Sequence, residues 1–119
     1  MNVVDSSAWL EYLADTPRAK FFAKAIEDHR NLIVPVISIY EVFKKVLRES
    51  GEGPALQVVN IMMNGNVADI DVSLVLEAAH HSMPLADSLI FATAQRHGAL
   101  LWTQDADFDG LPNVRYFPK

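Results

Sequence analysis

The stretch Met83–Ala94 (MPLADSLIFATA) is the feature that most narrows what this chain can become. Pro84 precedes a run from Leu85 to His97 that holds no Gly or Pro, and Gly98 follows it. Proline is tolerated at a helix start, where the first N–H groups lack intrahelical partners, and glycine is the usual stop. The spacing therefore predicts a helix over about 85–97. Leu85, Ala86, Leu89, Ile90, Phe91, Ala92 and Ala94 cover most of its circumference. A helix apolar nearly all round belongs inside a protein. Asp87 then sits in a buried element, where a carboxylate is costly unless it is paired, hydrogen-bonded or bound to a cation. Its other possible role is local: an acid in a first helical turn gains ~0.3–1 kcal/mol from the helix dipole.

Short apolar runs punctuate the rest of the chain. Asn2–Val4, Leu32–Pro35, Ala99–Thr103 and Val114–Phe117 read as strands, and Val67–Asp71 as a weaker one. Helical patterns lie between them. Ser6 or Ser7 is expected to cap a helix bearing Trp9, Leu10, Tyr12 and Leu13. Thr16 and Pro17 are expected to start the next, running to about His29. Further helices are expected over about 38–49, 54–63 and 72–81. Strands alternating with helices imply an α/β fold with a central, mostly parallel sheet and helices on both faces. The 119 residues are expected to form a single domain.

Composition excludes several classes. Half of the residues are hydrophobic, which fits a globular core rather than a disordered tail. There is no cysteine, so disulfide scaffolds and thiolate metal sites are out, and the cytoplasm is the simplest compartment. No run approaches the ~18 apolar residues of a membrane span, and Met1 leads directly into a strand pattern rather than a signal peptide. The net charge of −5 is the wrong sign for bulk attraction to nucleic acid. A polyanionic substrate would need a local basic patch or metal ions.

In parallel sheets, ligands bind beyond the carboxyl ends of the strands. Asp5 ends the first strand, and Asp105 follows the fourth, with Asp107 two residues on. Glu41 lies early in the helix after the second strand, and Asp87 early in the helix before the fourth. All are expected at one edge. Gathered carboxylates repel and need compensation. Hard divalent ions, Mg2+ or Mn2+, take oxygen ligands of this kind, and next to phosphate they suit metal-assisted hydrolysis. Ser6 and Thr103 carry hydroxyls beside the acids, as supporting groups or simply as a helix cap and a strand-end hydrogen bond. Lys44, Lys45 and Arg48 form either a solvated helix face or a contact with RNA phosphates. His80 and His81 are adjacent and do not share a helix face, so packing or solvent is their expected role.

Four segments together resemble the PIN-domain family, and most closely the VapC-type toxin ribonucleases of type II toxin–antitoxin pairs. They are Val3–Ser7, Ser38–Val42, Leu85–Ala94 and Leu101–Phe108. The resemblance spans essentially the whole chain and implies a three-layer PIN-like fold. It also implies metal ligation by Asp5 and Asp87, with Glu41 and Asp105 completing the catalytic acids and Asp107 competing with Asp105 for the metal. The expected activity is a divalent-metal-dependent endoribonuclease that hydrolyses RNA phosphodiester bonds with a metal-activated water. The expected partners are an RNA substrate, a cognate VapB-like antitoxin and a second copy in a homodimer, with no membrane. The alternative is a non-catalytic PIN-like module that binds RNA or protein; its expected mark, the loss of an acid, is absent. An aspartyl phosphotransferase at Asp5 is disfavoured, because Ser7 stands where a second Asp is common and no Gly-rich phosphate loop is present.

Overall fold

Alternation along the chain becomes layering in space. In the computed structural model, which describes residues 1–119, five short strands form one sheet. They are β1 (Asn2–Val4), β2 (Leu32–Pro35), β3 (Asn66–Ala68), β4 (Leu100–Thr103) and β5 (Val114–Tyr116). Their order is β3-β2-β1-β4-β5, and every neighbouring pair is parallel. Parallel neighbours need crossover connections. Up to β4 they are supplied by α1 (Ser6–Leu13), α2 (Lys20–Glu27), α3 (Val36–Ser50), α4 (Glu52–Met62), α5 (Val72–Ala78) and α6 (Leu85–Arg96), whereas β4 reaches β5 through one short turn of helix over Ala106–Phe108.

Side chains alternate across a strand, and the two faces of the sheet are sorted accordingly. Val4, Leu32 and Val34 pack with Trp9, Phe22 and Ile26 from α1 and α2, joined by Val42 and Met62. Val3, Ile33 and Leu101 enter the opposite core, against Ile90, Phe91 and Ala94 of α6. The far side of α6 meets α5 through Leu89, Ala92, Leu74 and Ala78. That sandwich explains why α6 is apolar nearly all round: Ser88–Ala94 are all buried. Gly98, at φ +60°, turns the chain out of α6 into β4. No helix is long and apolar enough to cross a membrane.

Several boundaries differ from the sequence-based expectation. The cap of α1 is Asp5 itself, not Ser6 or Ser7, because its carboxylate reaches the Ala8 N–H at 2.9 Å. Thr16 does not open α2. Its carbonyl and hydroxyl instead accept from the Ala19 and Arg18 N–H groups, closing a turn before the helix begins at Lys20. Helix α3 starts two residues early, because extended Pro35 already ends β2 and serves as its N-cap. Helix α5 stops at Ala78, short of the two histidines; His81 packs edge-to-face on Phe91 with centroids 4.9 Å apart.

The topology fixes where a site can form. From central β1 the chain steps outward to β2 and β3, then returns to β4 on the other side of β1. The connections leaving β1 and β4 therefore diverge at their carboxyl ends. Crevices open at such switch points in parallel sheets.

Candidate active site

At that edge, Asp5 leaves β1 and Thr103 ends β4. The β1–β4 pairing runs one residue past β1, with the Asp5 N–H donating to the Trp102 carbonyl at 3.1 Å. The Asp5 carboxylate is 2% exposed. Oδ1 accepts from the Ala8 N–H, Oδ2 accepts from Thr103 Oγ1 at 2.6 Å, and the Ser7 hydroxyl lies 3.1 Å from both oxygens. A carboxylate offers about four acceptor sites, so these three donors leave about one free. Burial pushes the Asp5 carboxyl up to about 6. The bonds from Thr103, Ala8 and Ser7 pull against that rise, and the charge of Asp105 adds to it.

Thr103 joins the two strand ends. While donating to Asp5, its hydroxyl accepts from the Asp105 N–H at 2.9 Å. Asp105 in turn caps a single helical turn over Ala106–Phe108, its Oδ1 accepting from the Asp107 N–H at 2.9 Å. Fully buried Phe108 anchors that turn in the core below. Both acids are thereby held above the end of β4.

Asp87 reaches the same place from the first turn of α6. One carboxylate oxygen from each of Asp87, Asp105 and Asp107 lies within 4.8 Å of the others. The Asp87 carboxyl is pushed up to about 7, first by burial and then by the charges of Asp105, Glu41, Asp5 and Asp107. A residue that merely favoured the helix dipole would move downward. The rise at Asp87 instead follows from its burial and from the acids around it.

Glu41 stands apart from that triad. It lies on α3, where its Oε1 accepts from the Ser6 hydroxyl at 2.5 Å. It nevertheless shares a cleft of about 410 Å3 with Asp5, Asp87 and Asp105. Lys44, Lys45 and Arg48, from the same helix as Glu41, also line it. Four of the five expected acids thus face one cleft, and Asp107 joins them at its rim through the triad. Ser6 lines the cleft, whereas Thr103 is buried beneath it.

Sequence reasoning passed over three neighbours of the site. Ser7 bonds Asp5, as its spacing two residues beyond the acid allows. Tyr40 lines the cleft beside Glu41. Gln104 is 6% exposed and holds the end of β4, accepting from Arg18 Nε at 2.8 Å and donating to Glu11 at 3.1 Å. No local pattern marks a residue that acts through partners so distant in the chain. Trp9 is wholly buried in the core, and Met62 is likewise core while Met63 is exposed.

The donor set suits a hard divalent ion: several carboxylates, no sulfur and no histidine, held close enough that one is pushed toward its neutral form. An ion at the triad would be held by Asp87, Asp105 and Asp107, with Asp5 and Glu41 beside it.

Comparison with known proteins identifies the fold. No curated protein matches the chain. Among solved structures, a chain of a toxin–antitoxin complex from Klebsiella pneumoniae superposes with a TM-score of 0.82 at 21% identity, covering 100% of both chains. Mycobacterium tuberculosis VapC20, a Sarcin-Ricin loop cleaving toxin, gives 0.77 at 18% identity, covering 97% of this chain and 99% of that one. A chain of DNA-bound VapBC from Salmonella typhimurium gives 0.74 at 15% identity, with 98% and 96% covered. At these identities the likeness is one of fold. The PIN domain family model matches residues 3–113, nearly the whole chain, and the protein belongs to the PIN-domain family.

Proposed function

We propose that this protein is a divalent-metal-dependent endoribonuclease and the toxin of a toxin–antitoxin pair, built as one PIN-like domain. The observation that carries the reading is the convergence of Asp87, Asp105 and Asp107 on one point, beside a wall of cations. When bound, Mg2+ or Mn2+ supplies Lewis acidity and neutralises charge developing on a phosphate. The chain's own residues do the rest. Asp87, Asp105 and Asp107 hold the ion. Asp5 and Thr103 lock the ends of β1 and β4 so that the acids cannot drift apart. Glu41, fixed by Ser6, completes the acidic floor. Lys44, Lys45 and Arg48 draw the RNA backbone over it. Retention of every acid sets this reading above a non-catalytic binding module.

A cognate VapB-like antitoxin and a homodimer complete the proposal, since several solved relatives are toxin–antitoxin complexes. A larger groove of about 680 Å3 adjoins the cleft, lined by apolar side chains such as Leu13, Val46, Val58 and Ile61. Ser7, Leu10 and Lys45 belong to both. A peptide seated in the groove therefore enters the cleft and competes with RNA. The direct test is expression in a bacterial host. Wild type alone should arrest growth, and Asp5→Asn should relieve the arrest at equal protein level. A soluble wild-type chain that cuts RNA in vitro yet leaves growth untouched would refute the toxin role and leave a housekeeping nuclease.

The cationic wall gives a separate expectation. Replacing Lys44, Lys45 and Arg48 together with Gln should weaken RNA binding and flatten its salt dependence, by about 0.7 in log–log slope for each lost contact to single-stranded RNA. Binding titrations between low and physiological salt measure it. An unchanged slope would return these side chains to a solvated face; Lys45 already pairs with Glu49 at 3.0 Å.

A further inference from the structure

Tyr40 has no structural duty that the fold reveals. Its side chain is 56% exposed on α3, one residue before Glu41, and it belongs to neither core. Its hydroxyl has one partner, Lys44 Nζ at 3.4 Å. That ammonium lies 5.5 Å from the ring centroid but much nearer the hydroxyl. It therefore sits toward the phenol end of the ring and leaves the centre of the face open. The cleft itself is otherwise polar: apart from Tyr40 its only apolar lining is Leu10.

Tyr40, Lys44 and Arg48 are spaced four apart, which puts them in one row along α3. The row starts with an open aromatic face and continues with two cations, alongside the carboxylates. Proteins that grip single-stranded nucleic acid combine these two elements, a ring for a base and positive charge for the backbone. A base inside a duplex is already stacked on both sides and offers no face to a side chain, whereas an unpaired base does.

We propose that Tyr40 is the stacking platform for one unpaired base of the RNA, setting the adjacent phosphate over the acidic cleft. This deepens the nuclease reading and rests on it. Lys44 and Arg48 then follow the backbone away from the stacked nucleotide. The platform makes the enzyme selective for loops and single strands by holding a base, not by reading its identity.

The test uses the full chain with Mn2+ and a fluorescent single-stranded oligoribonucleotide, beside a hairpin that presents the same sequence fully paired. Tyr40→Leu should raise KM for the single strand roughly tenfold, the usual scale of one lost base–aromatic stack. Tyr40→Phe should stay within about twofold of wild type, since the ring survives. The salt slope should be unchanged in both, because no charge is removed. Oligonucleotides carrying one abasic nucleotide, walked across the cleavage site, should include one that wild type binds as weakly as Tyr40→Leu binds the intact strand. That oligonucleotide should show no further loss with the variant. Wild-type KM in Tyr40→Leu, or equal loss in Tyr40→Phe, overturns the platform while leaving the nuclease intact. A wild-type chain that cuts no RNA with Mn2+ overturns the nuclease reading and this inference with it.

Discussion

Asp87→Asn should lower metal-dependent RNA cleavage by about a thousandfold. The scale follows from the several kcal/mol that a metal's Lewis acidity contributes, at ~1.4 kcal/mol for each factor of ten. Asn nearly preserves the shape of Asp87 but brings no charge to a point it shares with Asp105 and Asp107. The rate loss should come with weaker Mn2+ binding, measured by calorimetry. Its pH dependence carries a second signature. The wild-type carboxyl titrates at about 7 before metal arrives, and an ion can bind only after the proton leaves. Wild-type affinity for Mn2+ should therefore climb steeply as pH rises to about 7 and flatten above it. In the Asn variant that component should vanish, leaving the weaker contribution of Asp5, at about 6. Full activity of the variant, or of wild type in EDTA, would refute the metal mechanism.

The same carboxylates should make the metal-free protein less stable as pH rises. In the folded chain, the Asp5 and Asp87 carboxyls sit at about 6 and about 7, above the ordinary value of 3.8. Between pH ~4 and ~7 the folded state thus holds protons that the unfolded state has released. Stability must fall with rising pH across that window. For buried Asp5 the loss is on the order of 3 kcal/mol at ~1.4 kcal/mol per pKa unit. Asp87 shifts further but is only partly buried, so solvent screening reduces its share. Glu11 and Asp71 act oppositely: hydrogen bonds from Thr16 and from the Leu74 N–H hold them low, so their contribution is lost only in stronger acid. The metal-free protein should be most stable in mild acid. At ~2–4 °C or slightly more per kcal/mol for a domain of this size, wild type in EDTA should melt roughly 10 °C lower at pH 8 than at pH 5. Asp87→Asn should melt higher than wild type at pH 8, with the gap closing at pH 5. Mn2+ at about 100 times its dissociation constant should add roughly 2.7 kcal/mol to wild type and less to the variant. If the variant melts lower at pH 8 and both respond equally to Mn2+, Asp87 is only a helix-start residue.

β1, β2 and β4 were legible because each is a short, largely buried apolar run; β3, mostly exposed at the sheet edge, was the weaker reading and lies at Asn66–Ala68 rather than 67–71. The placement of the acids followed from one rule, that parallel sheets carry ligands at their carboxyl edge. Asp5, Glu41, Asp87 and Asp105 do share that edge and one cleft. What failed was local. Thr16 and Pro17 read as a helix start, yet Thr16 uses its hydroxyl and carbonyl to close a turn instead. Asp5 read as a ligand only, and it is also the cap that starts α1. The choice between Asp105 and Asp107 could not be made from spacing. Capping the turn at Ala106 brings an oxygen of each within reach of Asp87. Tyr40 escaped notice because its place in the cleft depends on side chains from distant parts of the chain, which no local pattern encodes.

The hydrogen bond from Thr103 to Asp5 spans nearly the full length of the chain. β4 is the next-to-last strand to be made, yet it lies beside the first. Until Leu100–Thr103 docks, Asp5 lacks its strongest donor and Asp87 lacks both Asp105 and Asp107. Any nascent fragment ending before Leu100 therefore has an incomplete acidic site, however well its earlier helices have formed. Order of synthesis thus acts as an interlock: the acidic cleft stays open on one side until β4 and the turn after it have been made.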